Sequence, residues 1–114
     1  MDALEMTLLY DFYGELLTER QQMCFELYHD QDLSLAEIAQ ELKVSRQGVY
    51  DNLSRAEATL RNMEEKTGCV RRSLQTRCAV RTILAAVSGL MESDDASVRE
   101  KAEQIAAAVR TLEE

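Results

Sequence analysis

The sequence predicts an all-α fold that contains a helix-turn-helix, and three observations support this prediction. Apolar residues recur at steps of three and four along most of the 114-residue chain, which is the period of an amphipathic helix. Serine or threonine precedes several of these segments, at the position that an N-cap occupies. No stretch alternates apolar and polar residues over the length of a strand.

The first two helices are predicted from apolar stripes. One is expected over about Asp2–Tyr13. The next is expected over about Glu19–His29, because Thr18 and Gln21 form the pattern of a capping box before it. The first stripe consists of Leu4, Leu8, Leu9, Phe12 and Leu16, and the second of Met23, Cys24, Leu27 and Tyr28.

A short third helix is predicted over about Leu35–Leu42. Ser34 and Glu37 make a second capping box at its start. Lys43 and Val44 then interrupt the helical pattern, which indicates a tight turn.

The fourth predicted helix is long. Ser45 is its candidate N-cap, and it extends to about Lys66, where Thr67 and Gly68 are typical of a helix end. A narrow apolar seam follows it, formed by Val49, Leu53, Ala56, Leu60 and Met63. The capped short helix, the tight turn and the capped long helix have the layout of a helix-turn-helix.

Two more helices are predicted in the remainder of the chain. One covers about Val70–Met91, with a shared apolar face of Val80, Ile83, Leu84, Val87, Leu90 and Met91. Ser93, Asp94 and Asp95 offer caps for the last helix, whose seam is Val98, Ala102, Ile105, Val109 and Leu112.

Composition divides the chain near Gly68, because all aromatic residues precede it and alanine and arginine dominate after it. We therefore predict a helix-turn-helix domain over residues 1–66 and a C-terminal helical hairpin over residues 67–114. The two apolar seams exceed what a small core needs, so a homodimer is predicted. Packing of these seams within one chain is the alternative.

The candidate nucleic-acid interface lies at the start of the fourth helix, which would enter the major groove by its N-terminal end. With Val49 facing the core, helical geometry points other side chains outward. Those expected to face or flank the ligand are Lys43, Ser45, Arg46, Gln47, Tyr50, Asp51, Ser54 and Arg55. The alternative is an ordinary solvated helix face.

Charge opposes strong binding to nucleic acid. The whole chain has a formal net charge of −8. Residues 34–66 contain five basic and six acidic residues, so the motif itself is net −1. Weak and salt-dependent affinity is expected. A separate cluster of Arg71, Arg72, Arg77 and Arg81 could hold phosphate or an acidic partner, or be a solvated face.

Other function classes find little support in the sequence. The three cysteines, Cys24, Cys69 and Cys78, are odd in number and lack metal-ligand spacing, so we expect buried or half-buried free thiols. His29 is the single histidine, and no orienting motif accompanies it. We expect no enzyme activity, no metal and no cofactor, and no apolar stretch is long enough to span a membrane.

The segment Tyr10–Leu60 closely resembles the YlxM family of small bacterial proteins. The strings DFY with LLTE, then DLSLAEIA, then VSRQGVYDNL carry the match. The resemblance implies a winged-helix-like or sigma-70 region 4-like helical domain with a C-terminal helical extension. It also implies a cytoplasmic, non-enzymatic regulatory protein linked to the signal recognition particle pathway. The nucleic-acid-contacting positions that it implies are Ser45, Arg46, Gln47, Tyr50, Asp51 and Asn52.

The favoured functional hypothesis is a regulator that binds DNA or signal recognition particle RNA through the helix-turn-helix. The runner-up hypothesis is an adaptor that docks on a protein of the signal recognition particle without reading nucleic acid. The acidic balance of the chain motivates it, since basic partners attract acidic surfaces.

Overall fold

The computed structural model describes residues 3–113, which form helices and turns and contain no strand. The helices are α1 (Ala3–Tyr13), α2 (Glu19–Phe25), α3 (Leu35–Leu42), α4 (Arg46–Thr67), α5 (Cys69–Leu90) and α6 (Ala96–Arg110). Short 3₁₀ turns cover Gly14–Leu16 and Thr111–Glu113, and a π turn covers Glu26–Asp30. The prediction of an all-α fold is confirmed.

Local capping sets most of the helix boundaries. Both predicted capping boxes are present: Thr18 pairs with Gln21, and Ser34 pairs with Glu37. The bounds predicted for α3 are confirmed. Gly68 ends α4 with a left-handed backbone, φ 65°, which glycine adopts without strain. The predicted position of Asp2 in the first helix lies outside the described residues.

The chain divides into two compact units, Met1–Val70 and Arg71–Glu114. The first unit contains two apolar clusters. One joins α1, α2 and α4 through Met6, Leu9, Tyr13, Leu17, Phe25, Ala56, Leu60 and Val70. The other joins α2, α3 and α4 through Cys24, Ile38, Val49 and Leu53. The predicted seam of α4 is therefore used within the chain.

The second unit has a smaller core. Val87, Ala102 and Ala106 are buried together, with Leu84 packed against them. The predicted faces of α5 and α6 are only partly correct. Ile83 and Leu90 of α5 and Met91 directly after it are exposed, as are Ile105 and Leu112 of the last segment. Ala106, which the seam omitted, is buried because small side chains allow close approach.

The predicted apolar stripe of α1 is only partly in the core, since Leu9 is buried and Leu8 packs against the cluster, whereas the others are exposed. Leu4 is 67% exposed and Leu16 is 58% exposed. Phe12 is also exposed. The helix packs through Met6, Leu9 and Tyr13, so the buried side is rotated from the predicted one and shares Leu9 with it. The Tyr13 hydroxyl lies against polar partners on α4.

The predicted face of α2 is also wrong in part. Met23 and Tyr28 are exposed, whereas Phe25 is buried. The helix lies between the two clusters of the first unit, so Phe25 packs in one and Cys24 in the other. Its last predicted turn is a π turn rather than an α turn, closed by the Gln31 N–H donating to the Glu26 carbonyl at 3.2 Å.

Candidate nucleic-acid interface

A left-handed residue makes the turn between α3 and α4. Lys43 has φ 57°, and its backbone N–H donates to carbonyls of the last turn of α3. The N–H of Val44 donates to the carbonyl of Ala39 at 3.0 Å. These bonds end α3 sharply, and the Lys43 side chain is exposed beside the start of α4.

Ser45 caps α4. Its side-chain oxygen accepts the Gly48 N–H at 2.9 Å. A Cβ at Gly48 would lie 3.1 Å from that oxygen, so the absence of a side chain leaves room for the cap. Ser45 and Arg46 are both exposed. The first turn of α4 therefore presents backbone N–H groups and the positive end of the helix dipole to solvent, where an anion is favoured.

The outward face of α4 is polar and partly self-bonded. The Gln47 side-chain amide donates to Asp51 Oδ1 at 3.0 Å. Tyr50 is 55% exposed, and Arg55 is exposed one turn beyond Asp51. Gln47 keeps its amide oxygen available, but its NH₂ group would have to leave Asp51 to pair with a base edge.

Asn52 differs from the other candidate residues. It is half-buried, and its side-chain amide donates to the Gly48 carbonyl at 2.9 Å. This bond turns the side chain back along its own helix. The structure thus brings eight of the nine candidate residues to the exposed surface of the turn and of α4, namely Lys43, Ser45, Arg46, Gln47, Tyr50, Asp51, Ser54 and Arg55.

A shallow groove of about 340 Å³ lies at this surface, lined by Leu35, Arg46, Gln47 and Tyr50. Sequence reasoning used Leu35 only as the start of the third helix and missed it as a lining residue. Its position directly after the N-cap Ser34 was the available signal, since side chains in a first helical turn have few neighbours from the preceding turn. The groove combines an apolar wall with a guanidinium and an amide.

The second cluster of the first unit supports the helix-turn-helix. Ile38 and Val49 are fully buried between α3 and α4. Cys24 is buried against them, and burial raises the pKa of its thiol. The three cysteines differ in environment: Cys24 is buried, Cys69 is half-buried, and Cys78 is exposed, contrary to the prediction for that thiol.

His29 packs against Phe25 of the first apolar cluster and pairs with a carboxylate on α4. Its ring lies 4.2 Å from that of Phe25 between centroids, and Nε2 lies 3.3 Å from Glu57 Oε1 on α4. Phe25 in turn stacks on Tyr10 at 4.4 Å. These contacts connect α1 and the end of α2 to α4, the helix that carries the candidate interface. Within residues 3–113, no helix has the length and apolar character needed to cross a membrane.

Comparisons with known proteins agree with this geometry. Residues 1–88 match the model of a family, UPF0122, described as "Putative helix-turn-helix protein, YlxM / p13 like". A UPF0122 protein of Geobacillus kaustophilus is 40% identical over 112 residues, which is 98% of this chain and 94% of the relative. One of Acetivibrio thermocellus is 44% identical over 104 residues, or 88% of this chain and 89% of the relative.

A higher identity covers a shorter segment. A UPF0122 protein of Thermoanaerobacter sp. (strain X514) is 59% identical over 71 residues. The alignment spans 62% of this chain and 61% of that relative.

Proposed function

Because the chain belongs to the UPF0122 family of YlxM/p13-like helix-turn-helix proteins, we propose that it is a regulatory protein that binds nucleic acid through the first turn of α4. The observation that carries the proposal is the exposed, capped start of α4, where Ser45, Arg46 and Gln47 surround free helix-end donors. Arg46 holds a phosphate or a guanine edge, and Gln47 pairs with an adenine edge after leaving Asp51.

The proposal places the protein in the cytoplasm, in the signal recognition particle pathway, with DNA or the RNA of that particle as ligand. A homodimer would present two α4 helices together and double the phosphate contacts. No catalytic step is assigned to the chain.

Titration of a labelled DNA duplex and of signal recognition particle RNA tests this function at two salt concentrations. The double variant Arg46→Ala and Gln47→Ala is expected to weaken binding to the preferred probe. Its matched control is Arg61→Ala with Gln104→Ala, which removes the same side-chain types from exposed positions far from the turn in sequence. Equal affinities of the first variant and the wild type would reject the helix-turn-helix as the contact.

An adaptor function is the second candidate, and two surface features favour it. The first unit carries six basic and fourteen acidic residues, net −8. Helix α1 and the 3₁₀ turn after it also expose Leu4, Phe12 and Leu16. Such a surface suits a basic protein with an apolar patch. Co-purification with a protein of the particle that survives nuclease treatment would support the adaptor. Loss of that protein on nuclease treatment would support nucleic-acid binding.

A further inference from the structure

Positive charge is concentrated on α5 rather than on the helix-turn-helix. This helix, Cys69–Leu90, carries four arginines and no acidic residue. It is the only one of the six described α-helices that has basic residues without acidic ones. The first unit is net −8, whereas the second has seven basic and seven acidic residues, with all of its acids after α5.

Arg77 and Arg81 are exposed and lie one helical turn apart on the same side of α5, and we name this pair the α5 arginine face. At about 100° per residue, Arg71 and Arg72 point in other directions around the helix. The buried side of α5 is marked by Val80 and Val87. Cys78 is exposed on the same stretch of helix.

Within residues 3–113, neither the Arg77 nor the Arg81 guanidinium lies within ion-pair distance of a carboxylate. The sequence left open that the arginine cluster is a solvated face whose charges pair with the protein's own carboxylates. Among the described residues, the structure contains no such ion pair at these two positions. Guanidinium groups in this state are suited to phosphate, which they bind through two parallel hydrogen bonds.

We infer that the α5 arginine face is a second nucleic-acid contact, which binds phosphate groups of the backbone. The inference rests on the proposed function and assigns to α5 the electrostatic contribution that the net −1 motif lacks. Contacts to phosphate carry no base information. The site is therefore expected to bind DNA and RNA of any sequence, with an affinity that falls steeply as salt rises.

The first test removes two of the charges. Arg77→Gln with Arg81→Gln is compared with Lys101→Gln and Arg110→Gln, which remove two exposed positive charges from α6 of the same unit. The probes are a mixed-sequence DNA duplex and an RNA strand of the same sequence. For two phosphate contacts on B-DNA, the slope of log affinity against log salt becomes shallower by about 1.8. The wild type then loses about tenfold more affinity than the α5 variant between about 50 and about 200 mM salt.

The second test needs no substitution. Cys78 is the exposed thiol, whereas Cys24 is buried. N-ethylmaleimide is expected to modify Cys78 in the free protein, and bound duplex is expected to slow that modification several-fold. Mass spectrometry of the peptides measures how fast Cys78 and Cys24 are modified. Modification of the buried Cys24 would indicate that the fold has opened.

The outcomes separate the two sites. Wild-type affinity and salt slope in the α5 variant, together with weakened binding by Arg46→Ala and Gln47→Ala, overturn the α5 contact and leave the proposed function standing. The reverse pattern supports the α5 contact and rejects the helix-turn-helix. If the α6 control changes the salt slope by the same amount, the slope depends only on the total charge of the protein, and the inference is overturned. A change in self-association of the α5 variant without a change in binding assigns the face to an acidic surface of a second copy, which also overturns it.

Discussion

The two units are built from the same element, a helix with an apolar side, but they bury different amounts of side chain. The seven largest fully buried side chains all belong to the first unit, and they include Phe25, Met6, Leu9 and Leu60. The buried residues of the second unit are valines and alanines. Because apolar burial stabilises roughly in proportion to area, the first unit has the larger source of stability.

The two units also differ in the charge of their surfaces. The first unit is acidic, yet it holds the helix-turn-helix, whereas the second begins with a helix whose only charges are arginines. A helix that buries few large residues leaves more of its circumference for contacts outside the chain. The comparison shows that the helix-turn-helix and the helix with the largest net positive charge belong to different units.

The largest expected effect tests the difference between the cores. Phe25→Ala removes a side chain that is 1% exposed and stacked between Tyr10 and His29. The free energy of unfolding is expected to fall by about 3–5 kcal/mol. Val87→Ala removes two buried carbons from the second unit, and transfer alone predicts a loss of about 1.6 kcal/mol.

Urea unfolding followed by far-UV circular dichroism measures both variants. The two changes should also affect different parts of the transition if the units unfold separately. A loss for Val87→Ala as large as that for Phe25→Ala would contradict the view that the second unit has the weaker core.

A smaller effect tests how α1 is held in the first unit. The Tyr13 hydroxyl donates to Glu64 Oε1 at 2.7 Å and is also hydrogen-bonded to Thr67. The same carboxylate accepts the N–H of Val70 at 2.9 Å, so the network joins α1, α4 and the start of α5. Tyr13→Phe keeps the ring but leaves a half-buried carboxylate short of a donor, and a loss of about 1–3 kcal/mol is expected.

The pKa of Tyr13 is raised, first by burial of the side chain and also by its hydrogen bond to Glu64. Phe12→Leu, at an exposed neighbouring ring, is the control and should leave the free energy of unfolding nearly unchanged. An equally small change for Tyr13→Phe would show that the network adds nothing beyond the packing of the ring.

Helix boundaries were predictable because capping is local. Ser34, Ser45 and Gly68 carry their signals within a few residues, so the bounds of α3 and the ends of α4 follow from the sequence. The outward position of Arg46 and Gln47 follows from the same local geometry once Val49 is known to be buried.

Buried faces were less predictable because they depend on distant partners. In α1 two apolar stripes compete, and a hydrogen bond from Tyr13 to a residue on α4 accompanies the one that is buried. In α2, Phe25 lies outside the predicted stripe and is buried because two clusters flank the helix. The bond of Asn52 to Gly48, and the place of Leu35 in the groove, likewise depend on side-chain positions that spacing does not encode.

The acidic surface of the first unit can be tested at the interface itself. Asp51→Asn removes a negative charge from the outward face of α4 but keeps an oxygen that accepts the Gln47 amide. Removing one repulsion of about 1 kcal/mol near a phosphate in water should raise affinity for a DNA duplex about fivefold. The gain should shrink as salt rises, because screening weakens the repulsion that was removed.

Asp11→Asn makes the same change in charge on an exposed position of α1 and is the matched control. Fluorescence anisotropy with the labelled duplex measures both. An equal gain in affinity for the two variants would mean that only the net charge of the first unit matters. The position of Asp51 on α4 would then have no effect on binding.

The smallest effect distinguishes two capping boxes within the first unit. In one, Gln21 Oε1 accepts the N–H of Thr18 at 3.1 Å, and in the other Glu37 Oε1 accepts the N–H of Ser34 at 3.0 Å. The backbone N–H of Ser34, followed by its hydroxyl, lowers the pKa of Glu37 below the ordinary 4.5. A carboxyl whose pKa is lowered by folding stabilises the fold above its unfolded pKa, and this stabilisation is lost as pH falls through the folded value.

Glu37→Gln makes the second box chemically equivalent to the first. The helix content at neutral pH should therefore stay the same, while the acid-side decline in the free energy of unfolding becomes shallower. Urea unfolding from neutral to acidic pH measures the decline, and carboxyl resonances in NMR give the pKa of Glu37 directly. If the variant and the wild type decline with the same slope, the charge on Glu37 does not stabilise α3, and the two boxes act through their neutral hydrogen bonds alone.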